Sequence, residues 1–210
     1  MVNQSFRLFF CVLLLLMSSP LLAAPPSSAQ INQLLEVGRT QQTLTHVTAY
    51  IVQAVWQELE GELTERTSLS TTDIDVINVT LGSSLVKAMS WEQMRPHYQQ
   101  LYANSLTAEQ AQVMLQFYRS PVGQIIVMTI LEAVQQPEFI ENPSAIEPIM
   151  EQAISNMDPK YLHEFLQLEQ THGVLQTYLQ LFKGSLDLLQ QQAEPVVRQV
   201  LTKELTQRLK

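Results

Sequence analysis

The side chains best suited to chemistry in this 210-residue chain do not assemble into a recognisable reaction centre. His163 and Glu164 begin a His-Glu-x-x-His pattern, in which two histidines one helical turn apart hold zinc and the glutamate serves as base. The second histidine position is Gln167, so the pattern fails. Glu169 and His172 are three apart and would share a helix face, but with no other ligands clustered near them a surface pair outweighs a metal site. His46 and His97 are isolated. Asp73 and Asp75 point to different helix faces, which suits the partly positive start of a helix better than a pair of acid and base carboxylates. There is no glycine-rich phosphate loop and no nucleophile-elbow serine. We assign no catalytic residue, cofactor or metal ligand and expect a non-catalytic protein.

Five residues stand out for binding instead: Tyr98, Tyr102, Phe117, Tyr118 and Arg119. Their helical spacing makes packing the default role, with tyrosine hydroxyls reaching a rim. An arginine beside aromatic faces could also hold an anionic group there.

The elements that must position these residues are unusually explicit. Leu106 precedes Thr107, whose hydroxyl can accept from the amide of Gln110 while the Gln110 side chain reaches back, a capping box that starts a helix at Ala108. Met114, Phe117 and Tyr118 follow at helical spacing, and Arg119 suits the negative end. Ser120 then caps a second helix. Pro121 fits its first position, where the missing amide would be unpaired, and Gly123 permits close backbone approach. The next helix, over residues 121–134, is apolar nearly all round and too short for the roughly 20 residues of a membrane span, so it reads as the buried centre of a core.

Other helices are expected over residues 31–37, closed by Gly38, and along the Leu44, Val47, Ile51, Val55 and Leu59 face, followed by a polar separator from Gly61 to Ser70. A third carries Ile74, Ile77, Leu81 and Leu85. Ser90 with Gln93 has the capping-box pattern before Trp91, and Pro96 should kink or restart that helix. Asp158 with Pro159 opens a helix that Gly173 closes. Leu175, Tyr178, Leu179, Phe182, Leu186 and Leu189 continue the period, and a last helix follows Pro195. No strand signal competes. The expectation is all-α, a compact bundle of about 8–10 helices. Residues 30–136 would form an N-terminal helical part, 137–144 a linker, and 145–210 a C-terminal part packed on the first.

Residues 1–29 read as a secretory signal peptide, with Arg7 ahead of an apolar run over residues 8–17 and small residues after Pro20. Ser27 and Ala29 favour cleavage after Ala29, with cleavage after Ala23 as the alternative. Cys11, the only cysteine, lies inside this segment, so the mature chain would have no thiol for disulfide, nucleophile or metal. The chain holds 12 basic and 20 acidic residues and a formal net charge of −8, which disfavours nucleic acid as a partner. Charged residues make up 15% against the roughly 25% of average proteins, and glutamine fills many polar helix positions. A weakly charged surface does little electrostatic steering.

Trp91, Tyr98, Tyr102, the Leu106-Thr107 helix start, and the run Phe117, Tyr118, Arg119, Ser120, Pro121, Val122, Gly123 together resemble the bacterial family named "domain of unknown function 2059" over roughly residues 80–135. The resemblance implies an exported helical protein of a Gram-negative envelope and implies no activity. The expectation is therefore a periplasmic or secreted interaction or structural module, not an integral membrane protein once the signal is cut, whose partner is an unknown envelope protein or a second copy. The alternative is a carrier of an apolar or lipid-like ligand between its helices.

Overall fold

Five of the described helices begin at a side chain that satisfies one of their first free amides: Ser27, Ser70, Thr107, Ser120 and Asp158. The computed structural model describes residues 24–66, 68–136 and 146–209. Among them it contains nine helices and no strand: α1 (Ser28–Val37), α2 (Thr40–Arg66), α3 (Thr71–Ala88), α4 (Trp91–Ser105), α5 (Ala108–Arg119), α6 (Pro121–Ala133), α7 (Ile146–Ser155), α8 (Pro159–His172) and α9 (Val174–Arg208). The all-α expectation holds. The stretch read as a linker, 137–144, and residues 1–23 of the signal lie outside the described residues.

Reciprocal capping boxes start three of these helices, from Ser27 to Gln30, Ser70 to Asp73 and Thr107 to Gln110. The box expected at Ser90 does not form, since Ser90 makes no side-chain cap bond and the Gln93 amide bonds the Ser90 carbonyl instead. The separator read at Gly61, a restart at Pro96 and a new helix after Pro195 are also absent. α2 runs through Gly61 to Arg66, held by Leu63, which is buried near the helix end. Pro96 lies inside α4 and Pro195 inside the 35-residue α9. A proline within a helix costs about 3 kcal/mol, and packing of Leu189, Ala193 and Val200 on either side of Pro195 offsets it. Gly173 sits at φ 58°, a left-handed conformation in which a side chain would be strained. It ends α8 and begins α9, whose second amide, that of Leu175, is taken by the Glu169 carboxylate at 2.7 Å. Glu169 is thus a helix cap and not half of a pair with His172.

Both halves of the chain share one apolar core. α6 is buried along Val122, Ile126, Val127, Ile130 and Leu131 and packs against α5, α7 and α8. Its burial is incomplete: Ile125 and Met128 are 38% and 36% exposed, a narrow open edge on a helix whose sequence is apolar nearly all round. α3 lies under both α2 and α9, burying Ile77, Leu81 and Leu85 between them. No described helix is long and apolar enough to cross a membrane.

A polar clasp joins the start of α3 to the end of α9. Arg208 Nη1 donates to Asp73 Oδ1 at 2.8 Å, and Arg208 Nη2 donates to Glu204 Oε2 at 3.0 Å, with Glu204 itself buried. The Ser70 hydroxyl first, then Arg208, holds the Asp73 carboxyl below its ordinary value of 3.8. A depressed carboxyl stabilises the fold above its unfolded value, and that contribution is lost as pH falls through the folded value. Asp73→Asn keeps an acceptor but removes the charge. We expect it to lower Tm by a degree or two at pH 7 and to match the parent near pH 2. Equal losses at both pH values would mean that the charge contributes nothing.

Candidate ligand groove and the tyrosine core

At the corner between α5 and α6, Ser120 accepts the Gly123 amide at 3.0 Å while its hydroxyl donates to the Phe117 carbonyl at 2.8 Å. One side chain thus closes the first helix and opens the second. Gln124 secures the bend from inside, its amide donating to the carbonyls of Tyr118 and, at 3.4 Å, Val37 of α1. A Cβ on Gly123 would stand 1.9 Å from the Phe117 carbonyl oxygen and 2.6 Å from its carbon. The glycine is therefore required by the backbone of the preceding helix, a nearer neighbour than the separate helix its position in the sequence brings to mind.

The aromatic residues singled out in the sequence come together, but inside the protein. Tyr98, Tyr102, Phe117 and Tyr118 are all buried, joined by Tyr178 from α9, which meets Tyr118 edge-on with ring centres 5.9 Å apart. The hydroxyl of Tyr102 is hydrogen-bonded to Thr40 and Tyr118, and that of Tyr98 to Ser185. These groups surround a cavity of about 40 Å³, room for roughly one water molecule and for no larger ligand. Burial pushes the four hydroxyls above the ordinary tyrosine value of 10.0, because the charged form would lose its hydration.

The remaining motif residues do not complete a rim. Arg119 is exposed and donates to Gln33 Oε1 at 3.3 Å, away from the aromatic faces. Trp91 is half-buried and packs 6.1 Å from Tyr98. Thr107 caps α5, and Pro121 is exposed at the first position of α6. No group of three or more metal-ligating side chains forms among the described residues.

Sequence reasoning missed a groove of about 1470 Å³ between α2 and α9. Its α2 wall spans residues 47–59, with Ile51, Val55 and Leu59 half-buried. Its α9 wall spans residues 175–201, with Leu175, Leu179, Leu186 and Val197 half-buried. Glu58, Lys183, Asp187 and the exposed pair Glu194–Arg198 stand along its edges. Both apolar rows were legible as helix faces. That they rest side by side on α3 without closing on each other depends on tertiary placement, which periodicity alone does not encode.

Fold and site together define a helical bundle with a polar-capped corner, a tyrosine-filled core and an apolar surface groove. Residues 92–137, spanning α4 to α6, match the family described as "Uncharacterized protein conserved in bacteria (DUF2059)", the family that the corner motif resembles. The match takes in Tyr98, Tyr102 and the whole Phe117 to Gly123 run, and begins one residue after Trp91. No curated protein matches the chain, and no solved structure does.

Two measurements check this geometry. Gly123→Ala should cost about 3 kcal/mol, the upper part of the overpacking range, whereas Ser120→Ala should cost about 1 kcal/mol, the ordinary value of a lost cap. Denaturant melts showing Gly123→Ala unchanged would mean that the corner is not packed as described. Spectrophotometric titration should show no more than two of the six tyrosines ionising before the fold melts. Because the folded values are raised, the neutral tyrosines support the fold below pH 10, and that support is lost at higher pH.

Proposed function

We propose that this chain is exported and serves as a non-catalytic interaction module of a cell envelope, receiving an amphipathic helix of a partner protein in the α2–α9 groove. The observation that carries this reading is the groove itself. At about 1470 Å³ it exceeds the roughly 300–1,000 Å³ of small-molecule clefts. The α2 wall alone runs for about 18 Å at 1.5 Å per residue. An elongated trough with apolar rows on both walls and charged edges is what a helix presenting residues at i, i+3, i+4 and i+7 requires. A helix placed there would complete a four-helix arrangement with α2, α3 and α9. Export is supported by Arg7 ahead of the apolar run over residues 8–17.

The carrier reading draws on the same apolar lining, and one experiment separates the two. A photo-crosslinking residue replaces Leu179 in cells that make the protein, and the adducts are mapped. The helix reading expects a peptide adduct on one amphipathic segment of one protein, reduced at least tenfold by Val55→Asp. Adducts only to lipid, together with a lipid-shifted mass after gentle purification, would overturn it in favour of the carrier.

A further inference from the structure

The first described residues are tied to the fold before any helix begins. The Ala24 carbonyl accepts the Ala108 amide at 2.8 Å. That amide is the first of α5, one of those a helix cannot satisfy internally. Gln30 Nε2 donates to the Ala108 carbonyl at 3.4 Å, so the two chains are joined on both sides of a single residue. Between these contacts Pro26 is buried, and Ser27 caps α1 by accepting the Gln30 amide at 3.2 Å while its own amide donates to Gln30 Oε1 at 2.9 Å.

Cleavage after Ala29, which the small residues Ser27 and Ala29 favour on sequence rules, would discard every one of these groups except Gln30. It would also remove the first two residues of α1 and leave a new ammonium on Gln30, in the first turn, where the partly positive helix end repels a cation. Cleavage after Ala24 would set Pro25 immediately past the cut, an unfavourable residue there. Cleavage after Ala23 keeps the whole arm, places small residues on both sides of the bond, and sets the new charge three residues ahead of the cap.

We infer that the export peptidase cuts the Ala23–Ala24 bond, and that residues 24–27 are a structural arm of the mature protein which completes the start of α5. In this hydrolysis water adds to the Ala23 carbonyl, the peptide C–N bond breaks, and the products are an Ala23 carboxylate and an Ala24 ammonium. The inference rests on the export reading above. It is tested by the intact mass of the protein produced with its own leader and recovered from the exported fraction. The expected mass is that of residues 24–210. A mass corresponding to 30–210 would overturn the inference while leaving export standing, whereas an uncut chain retained in the cytosol would overturn export and this inference with it. A second measurement compares chains made to start at Ala24 and at Gln30. The longer should melt at least about 3 °C higher, and equal melting would show that the arm contributes nothing to the fold.

Discussion

The arrangement depends on the space that Gly123 leaves for the Phe117 carbonyl. Two helices can meet with one intervening residue only if the last carbonyls of the first and the first amides of the second are satisfied within that residue's reach. Ser120 does both, accepting from Gly123 and donating to Phe117. The second helix then starts so close to the first that no side chain fits at its third position. This turn directs α6 into the core, and its direction fixes where Ile126, Val127 and Ile130 are buried.

From this corner the tyrosine core follows. Phe117 and Tyr118, side by side at the end of α5, have their rings 5.7 Å apart. Tyr118 extends to Tyr102 of α4 and Tyr178 of α9, so a residue beside the corner links helices separated widely in sequence. A buried hydroxyl without a partner costs about 1–3 kcal/mol. The Tyr102 hydroxyl has partners in Thr40 and Tyr118, and that of Tyr98 has Ser185, so burying these groups does not forfeit their hydrogen bonds. The same feature makes the cluster a poor binding site, since its polar groups already serve one another and its cavity admits no ligand of useful size.

What was legible in the sequence was local. The Thr107 and Ser120 caps, Pro121 and the aromatic pair are signals spanning a few residues, and each lies where its chemistry placed it. The errors arose where tertiary packing overrode a local signal. Gly61, Pro96 and Pro195 read as interruptions, yet their helices continue because flanking apolar residues are buried. Ser90 and Gln93 have the right spacing, but the backbone bond from Gln93 takes the place of the box. Tyr98, Tyr102 and Tyr118 were expected in a packed interface with hydroxyls at a rim. The distinction between rim and interior turns on Tyr178 and Ser185, more than 55 residues further along the chain, and no short window contains both.

The division between scaffold and groove bears on what a partner would recognise. The matched stretch 92–137 contains the corner and three of the four core tyrosines, Tyr98, Tyr102 and Tyr118, while both walls of the groove, residues 47–59 and 175–201, lie outside it. The corner tolerates little change, because its constraint is steric contact between backbone atoms. The groove walls are subject to no such constraint: Ile51, Val55, Leu179 and Val197 are only half-buried, and exchanging one aliphatic side chain for another there alters its shape at little cost to the core. A bundle built this way separates the residues that determine the fold from those that line the groove. Under the proposed function, selectivity for a groove occupant would be set by the flanking helices, and the corner motif would identify the scaffold without identifying the partner.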